Sequence, residues 1–286
     1  MNSDISRHYR LQNQLHTFLL LAGMLLLLSL IGWLVAGYIG VLWSICTGII
    51  LMMSIPGISS NFVLYLYRAR PLAPGKLSEI IERLSIKSHL PYPPSLYYIP
   101  SRSLLAFSIG MKKDKSIAIS HGLIEALSTR ELAAVLAHEV AHIQGKDLWV
   151  MATAEVINRI TGLMALFGYL MLFFYLPVLL LKYETVPWML LLTLIFAPYL
   201  SALMQLALSR TREFNADTEA VNLTGDPKGL ISALTKLENC QHNWLGQLLP
   251  GLHAPQPSLL RTHPSTSERI RRLKEIAQQD SDSRFF

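Results

Sequence analysis

A mainly α membrane protein is what the 286-residue sequence predicts: four transmembrane helices plus a cytoplasmic α+β domain with a small β-sheet. Three observations lead there. Hydrophobic residues make up 51% of the chain and charged residues only 15%, against about 25% charged in soluble domains. Four apolar stretches are each long enough to cross a bilayer. Two polar stretches lie one between the second and third apolar segments and one after the fourth, and the first of them mixes helical and strand patterns.

The apolar stretches run from about Thr17 to Ala36, Ile39 to Ile58, Ile160 to Leu181 and Pro187 to Leu208. At 1.5 Å per residue, about 20 residues cross a ~30 Å hydrocarbon core. None carries a charge at its centre, which argues against buried helices of a soluble protein. It also argues against a transporter, whose spans would hold ionisable groups. Arg7 and Arg10 precede the first stretch, as in a signal peptide. Its apolar core is too long for one and no A-x-A-like cleavage site follows, so it reads as a retained anchor.

Lys and Arg set the orientation. Arg7 and Arg10 precede the first span, and Arg68, Arg70 and Lys76 follow the second. The turn from Gly37 to Gly40 is uncharged, and Lys182 to Val186 is too short to form a domain. Both termini and both polar regions are therefore expected in the cytoplasm, with Tyr65 and Tyr67 at the interface. The resulting division is 1–67 as an anchor with two spans, 68–159 as the first part of the polar domain, 160–208 as a hairpin of spans, and 209–286 as the second part.

Within 68–159, LSEIIERLSI (77–86) has helical periodicity. PYPPSLYYIP reads as a loop and short strand, and LLAFSIG and KSIAIS as two strands. Ser128 and Glu131 form a capping-box pattern, opening a helix that carries LAAVLA into HEVAH. The net charge is +6 and the pI about 9.3. With no nucleic-acid motif and basic residues flanking the spans, this balance points to the lipid bilayer and not to nucleic acid. Cys46 lies in an apolar run and Cys240 in a polar region, so no disulfide framework is expected.

HEVAH, residues 138–142, is H-E-x-x-H. Residues four apart share a helix face, so His138 and His142 can aim their imidazoles at one metal. Zinc is the usual occupant because it accepts neutral imidazole. Glu139 is turned by about 100° from the fork and can act on a water as general base. The alternative, a surface helix with two histidines, conflicts with the apolar run before it.

A catalytic zinc normally takes three protein ligands. Asp147 lies too close after His142 for one helix to supply all three. Glu155 forms an i,i+4 pair with Arg159. SRTREFNAD, 209–217, places Glu213 and Asp217 one turn apart. One carboxylate can bind metal while the other holds a histidine ring. Two spans separate this segment from HEVAH, so both halves return to the same side of the membrane.

These residues resemble the HtpX membrane metalloproteases, more distantly related to the CAAX prenyl-protein proteases. The four-span layout, VLAHEVAHIQGKD, SRTREFNAD, DPKGLISALTKLE and THPSTSERIRRL carry the resemblance. It implies a zincin fold of gluzincin type with one Zn2+ per chain. His138, His142 and Glu213 are then the expected zinc ligands, Glu139 the general base and Asp217 a support for a ligand histidine. LLAFSIG resembles the family's substrate-binding edge strand, here with Leu105, Ala106 and Phe107 where the family has Asn-Ala-Phe. His263, before Pro264, is a candidate oxyanion stabiliser.

The resemblance further implies an endopeptidase acting on polypeptides, with damaged or misfolded membrane proteins as substrates in quality control and stress response at a bacterial inner membrane. Two alternatives stand beside it: a processing protease for a specific substrate, lipidated or not, and a non-catalytic membrane scaffold that keeps zinc for stability. A scaffold has no need of Glu139.

Overall fold

The computed structural model describes residues 3–54, 60–110, 114–181, 188–248 and 265–282. Along the chain the elements are α1 (Ser3–Ser54), α2 (Ser60–Leu66), β1 (Arg70–Pro71), α3 (Lys76–Lys87), β2 (Ser95–Ile99), β3 (Ala106–Ile109) and β4 (Ser116–Ser120). They are followed by α4 (His121–Ala126), α5 (Thr129–Gln144), α6 (Asp147–Leu180), α7 (Trp188–Thr224), α8 (Pro227–Leu248) and α9 (Thr266–Asp282). The fold is mainly helical with one small mixed sheet. It divides into two units: residues 1–13, 58–149 and 210–286, and residues 14–57 and 150–209.

In the first unit the sheet order is β1-β2-β4-β3. β2 runs parallel to β4, with Ser95 opposite Ser116 and Ile99 opposite Ser120. The other two pairings are antiparallel. Successive residues of a strand face opposite sides of the sheet. Ile117 and Ile119 of β4 therefore join Leu96 in the main core, while Ala118 packs with Leu64 and Ile99 on the far side. The two strands read from LLAFSIG and KSIAIS are β3 and β4. The two-residue β1 was not foreseen, because so short a strand leaves no period to read.

Helix α5 runs through the main core. Leu132, Leu136, Val140 and Ile143 recur at helical spacing and are buried against α3, α8 and the sheet. The start is defined by a capping box: Ser128 receives the Glu131 N–H, and Glu131 Oε2 accepts from the Ser128 N–H at 2.8 Å. Glu131 also accepts from Ser232 Oγ at 2.5 Å and Lys236 Nζ at 2.7 Å, tying the cap to α8. The helix stops at Gly145, and Lys146 takes a left-handed φ of 54° before α6 begins. Helix α3 is amphipathic as expected, burying Ile81 and Leu84.

The second unit is helical and apolar. Met24 and Leu28 pack with Ala154, Ile157, Ile160 and Leu208, and Leu27 and Ile31 with Leu194 and Ala197. Phe18, Leu26, Trp43, Phe173 and Phe174 are exposed, the surface expected of helices that meet lipid tails instead of water. Among the described residues three helices are long and apolar enough to cross a membrane: Leu11–Ile50, Asp147–Pro177 and Trp188–Thr224. The first has 40 residues, which as a straight helix would be about 60 Å, twice a ~30 Å core. It is not straight. Ala36 and Gly37 have non-helical torsions, and Gly37 takes a φ of 60° that favours glycine. Beyond the break the backbones of Gly32 and Gly40 meet so closely that a Cβ on either would overlap the other's carbonyl.

Candidate metal centre

The site is built on α5 and on residues 210–224 of α7, all within the first unit. Helix α5 carries His138 and His142 one turn apart, and their Nε2 atoms lie 3.0 Å from each other. Helix α7 carries Glu213. Its Oε2 is 3.5 Å from His138 Nε2, and its Oε1 is 3.7 Å from His142 Nε2. These three side chains form a cluster able to hold a metal ion. Zinc bonds of about 2.0–2.1 Å in tetrahedral directions put neighbouring donors about 3.3 Å apart. The observed separations bracket that value, and two imidazoles with one carboxylate are a donor set zinc accepts. The residues present therefore fit the ion.

The outer nitrogen of each ring meets an aspartate. His138 Nδ1 lies 3.0 Å from Asp217 Oδ1, and His142 Nδ1 lies 2.6 Å from Asp147 Oδ2. Such a partner sets which ring nitrogen carries the proton, so that Nε2 keeps its lone pair for a metal. Asp217 in turn takes two hydrogen bonds from Arg269 of α9, Nε to Oδ2 at 2.7 Å and Nη2 to Oδ1 at 2.5 Å. Arg269 Nη1 also lies 3.2 Å from Glu213 Oε2. Asp147 Oδ1 accepts from Arg212 Nη2, which also donates to the Gly145 carbonyl at 3.0 Å.

All of these carboxylates are buried, and Glu139 is buried beside them. Buried charges persist when paired and hydrogen-bonded, and the arginines supply that pairing. The pocket shifts its two rings in opposite directions. Burial pulls the His138 ring down, but hydrogen bonds to Asp217 and Glu213 outweigh it and push its pKa up to about 9. Burial, and then the charge of His138, push His142 down to about 4.

The structure brings His138, His142, Glu139, Glu213 and Asp217 together. Glu155 belongs to the other unit, where it pairs with Arg159 at 2.6 Å and accepts from Gln205 at 2.9 Å. Ala106 and Phe107 lie on β3, the outermost strand on one side of the sheet and a neighbour of α5. Leu105 is held by its backbone, its carbonyl accepting from the Ser120 N–H at 2.9 Å. His263 lies outside the described residues. Sequence reasoning missed Asp147, Arg212 and Arg269. Asp147 was weighed only as a ligand continuing the α5 helix, but the left-handed Lys146 ends that helix and turns Asp147 back onto His142. The arginines sit inside motifs already singled out, yet nothing local says what they reach.

The family model described as peptidase family M48 matches residues 71–277. Among curated proteins, a "Protease HtpX homolog" of Acaryochloris marina is 37% identical over 236 residues, 77% of this chain and 80% of that protein. A "Protease HtpX" of Legionella pneumophila is 32% identical over 281 residues, 92% of this chain and 99% of that protein. Among solved structures, S. mikatae Ste24p superposes with a TM-score of 0.52 at 21% identity, covering 79% of this chain and 55% of that one. The last likeness is one of fold.

Proposed function

The chain belongs to peptidase family M48, a membrane metalloprotease by that kinship and by its apolar helices, and we propose that it is a zinc endopeptidase with one Zn2+ held by His138, His142 and Glu213. The observation that carries this reading is the convergence, from two helices, of two imidazole nitrogens 3.0 Å apart and one carboxylate whose oxygens lie 3.5 and 3.7 Å from them. A Zn2+ ion there supplies Lewis acidity toward a peptide carbonyl and lowers the pKa of water to about 7. Glu139 takes the proton from the attacking water and returns it to the leaving amine. Asp217 and Asp147 hold the ligand rings.

We further propose that substrates bind as an added strand on β3. Leu105 bonds to Ser120 through its carbonyl. By the two-residue period of an antiparallel ladder, Phe107 and Ile109 are the next residues bonded to β4. The main-chain groups of Ala106 and Ser108 then face outward, free to pair with a peptide.

The proposed membrane arrangement has four spans, the first apolar helix folding back at Gly37. Forty residues with a break and touching Gly32 and Gly40 support two crossings over one. The Lys and Arg pattern supports a cytoplasmic catalytic domain formed from 68–159 and 209–286, with residues 1–67 and 160–208 as anchor and hairpin. Quality control of membrane proteins at a bacterial inner membrane is the proposed role, which the resemblance in sequence motifs suggests.

The test is a proteolysis assay on the purified protein in detergent, comparing wild type, Glu139→Gln and chelator-treated samples on an unfolded membrane protein. The wild type cleaves. Glu139→Gln keeps its metal and loses about 10²- to 10⁴-fold in rate. Equal rates for wild type and Glu139→Gln would sink the assignment.

A further inference from the structure

We infer that Arg212 and Arg269 are positioning residues of the metal centre, each clamping the aspartate that aims one ligand imidazole. The inference rests on the metal-centre reading above and extends it to two residues that touch neither substrate nor metal.

The two halves of the site repeat one arrangement. His138 Nδ1 meets Asp217, which is gripped by Nε and Nη2 of Arg269. His142 Nδ1 meets Asp147, which is gripped by Arg212. Each chain is histidine, aspartate, arginine; Asp147, Asp217 and Arg212 are buried, exposing 4%, 3% and 6% of their surface, while His142 and Arg269 are partly buried. An aspartate alone can rotate about two torsions and offer either oxygen to the ring. A guanidinium binding through a rigid fork removes that freedom. With Oδ2 and Oδ1 of Asp217 both bound, the carboxylate plane is fixed and Oδ1 stays on His138 Nδ1.

Charge gives a second reason. Glu139, Asp147, Glu213 and Asp217 bring four carboxylates into one buried pocket. Unrelieved, they would repel one another and draw protons. The two guanidiniums leave a formal deficit of two positive charges, which a divalent cation matches. Lysine in place of Arg269 would supply the charge but not the fork, whereas Arg212 holds Asp147 through Nη2 alone.

The two clamps are not equal. Arg269 also reaches Glu213, so it holds a ligand as well as a support. It arrives from α9, 52 residues beyond Asp217, and couples the seating of that helix to the ligand geometry. Arg212 instead pins the corner after α5 through the Gly145 carbonyl. Loss of Arg269 therefore perturbs the centre more than loss of Arg212.

The experiment uses the full chain in detergent, with Arg212→Met, Arg269→Met, Arg269→Lys and, as a remote control, Arg130→Met, which breaks the exposed pair with Asp226. Zn2+ affinity is read by competition with a chromophoric chelator. Co2+ substitution reports ligand geometry through its visible absorption, and thermal midpoints report folding. Removing outer partners of metal ligands typically costs 10- to 100-fold in affinity. Both Met variants should lose affinity in that range, Arg269→Met more, with shifted Co2+ bands. Arg269→Lys should fall between it and wild type, and Arg130→Met should match wild type. If Arg269→Met does not fold, Arg269→Lys decides: wild-type affinity and an unchanged Co2+ spectrum in that variant overturn the inference. The same holds if folded Met variants bind as wild type does. If wild type itself binds neither ion, the metal-centre reading fails first and this inference falls with it.

Discussion

Asp147 Oδ2 sits 2.6 Å from His142 Nδ1, although the two residues belong to different helices with a left-handed turn between them. The contact fixes the tautomer that leaves Nε2 free. Asp147→Asn keeps the shape but loses the charge that favours a donated proton. It should weaken Zn2+ binding about 10- to 100-fold and leave Glu139 in place. Chelator competition checks this, and undiminished affinity would mean that His142 is oriented by its helix alone.

Glu213 and Glu155 make opposite predictions. Glu213 lies within 3.7 Å of both the His138 and the His142 ring, whereas Glu155 is paired with Arg159 and Gln205. Metal analysis after dialysis should find Glu213→Ala depleted and Glu155→Ala loaded at about one zinc per chain. The reverse pattern would show that the third ligand is misassigned.

Glu131 predicts a pH dependence. Burial raises its pKa, but Lys236, Ser232 and Ser128 outweigh that and hold it down at about 2, below the ordinary value of 4.5. A depressed carboxylate contributes stability that is complete above its unfolded pKa and is lost as pH falls through its folded pKa. The window is therefore from about pH 4.5 down to about 2. Glu131→Gln should cost about 1.5–3 kcal/mol at pH 7, the range for hydrogen bonds to a charged group. Its thermal midpoint should approach that of wild type as pH falls through the window. A gap that stays constant down to pH 3 would assign the loss to packing and not to charge.

Ser108 tests the edge strand. Ser108→Pro removes one outward N–H without taking a bond from β4, a substitution that edge strands tolerate. It should raise KM for a peptide substrate several-fold while zinc content stays at the wild-type level. Phe107→Pro, which would break pairing within the sheet, should instead lower stability. An unchanged KM for a folded Ser108→Pro would argue against substrate pairing there.

The legible features are those whose physics is local. A helix repeats every 3.6 residues and a strand every two, so the fork of His138 and His142, the Ser128 cap and strands β3 and β4 could be read from short windows. Apolar segments were legible for the same reason, since a bilayer tests each by its own length and hydropathy, although four were read and three candidate spans stand among the described residues. The paired acids Glu213 and Asp217 were legible as a turn of helix, and the resemblance assigned them different roles.

What only the tertiary structure decided depends on the chain returning to itself. Nothing near Arg269 in sequence says that it will grip Asp217 across 52 residues, or that the same guanidinium will reach Glu213. Asp147 was close in sequence but hidden by one torsion, the left-handed Lys146 that redirects it. A single backbone angle and a distant helix carry no periodicity of their own. The sequence by itself determined which side chains bring the chemistry; close packing in the fold determined which of their atoms meet.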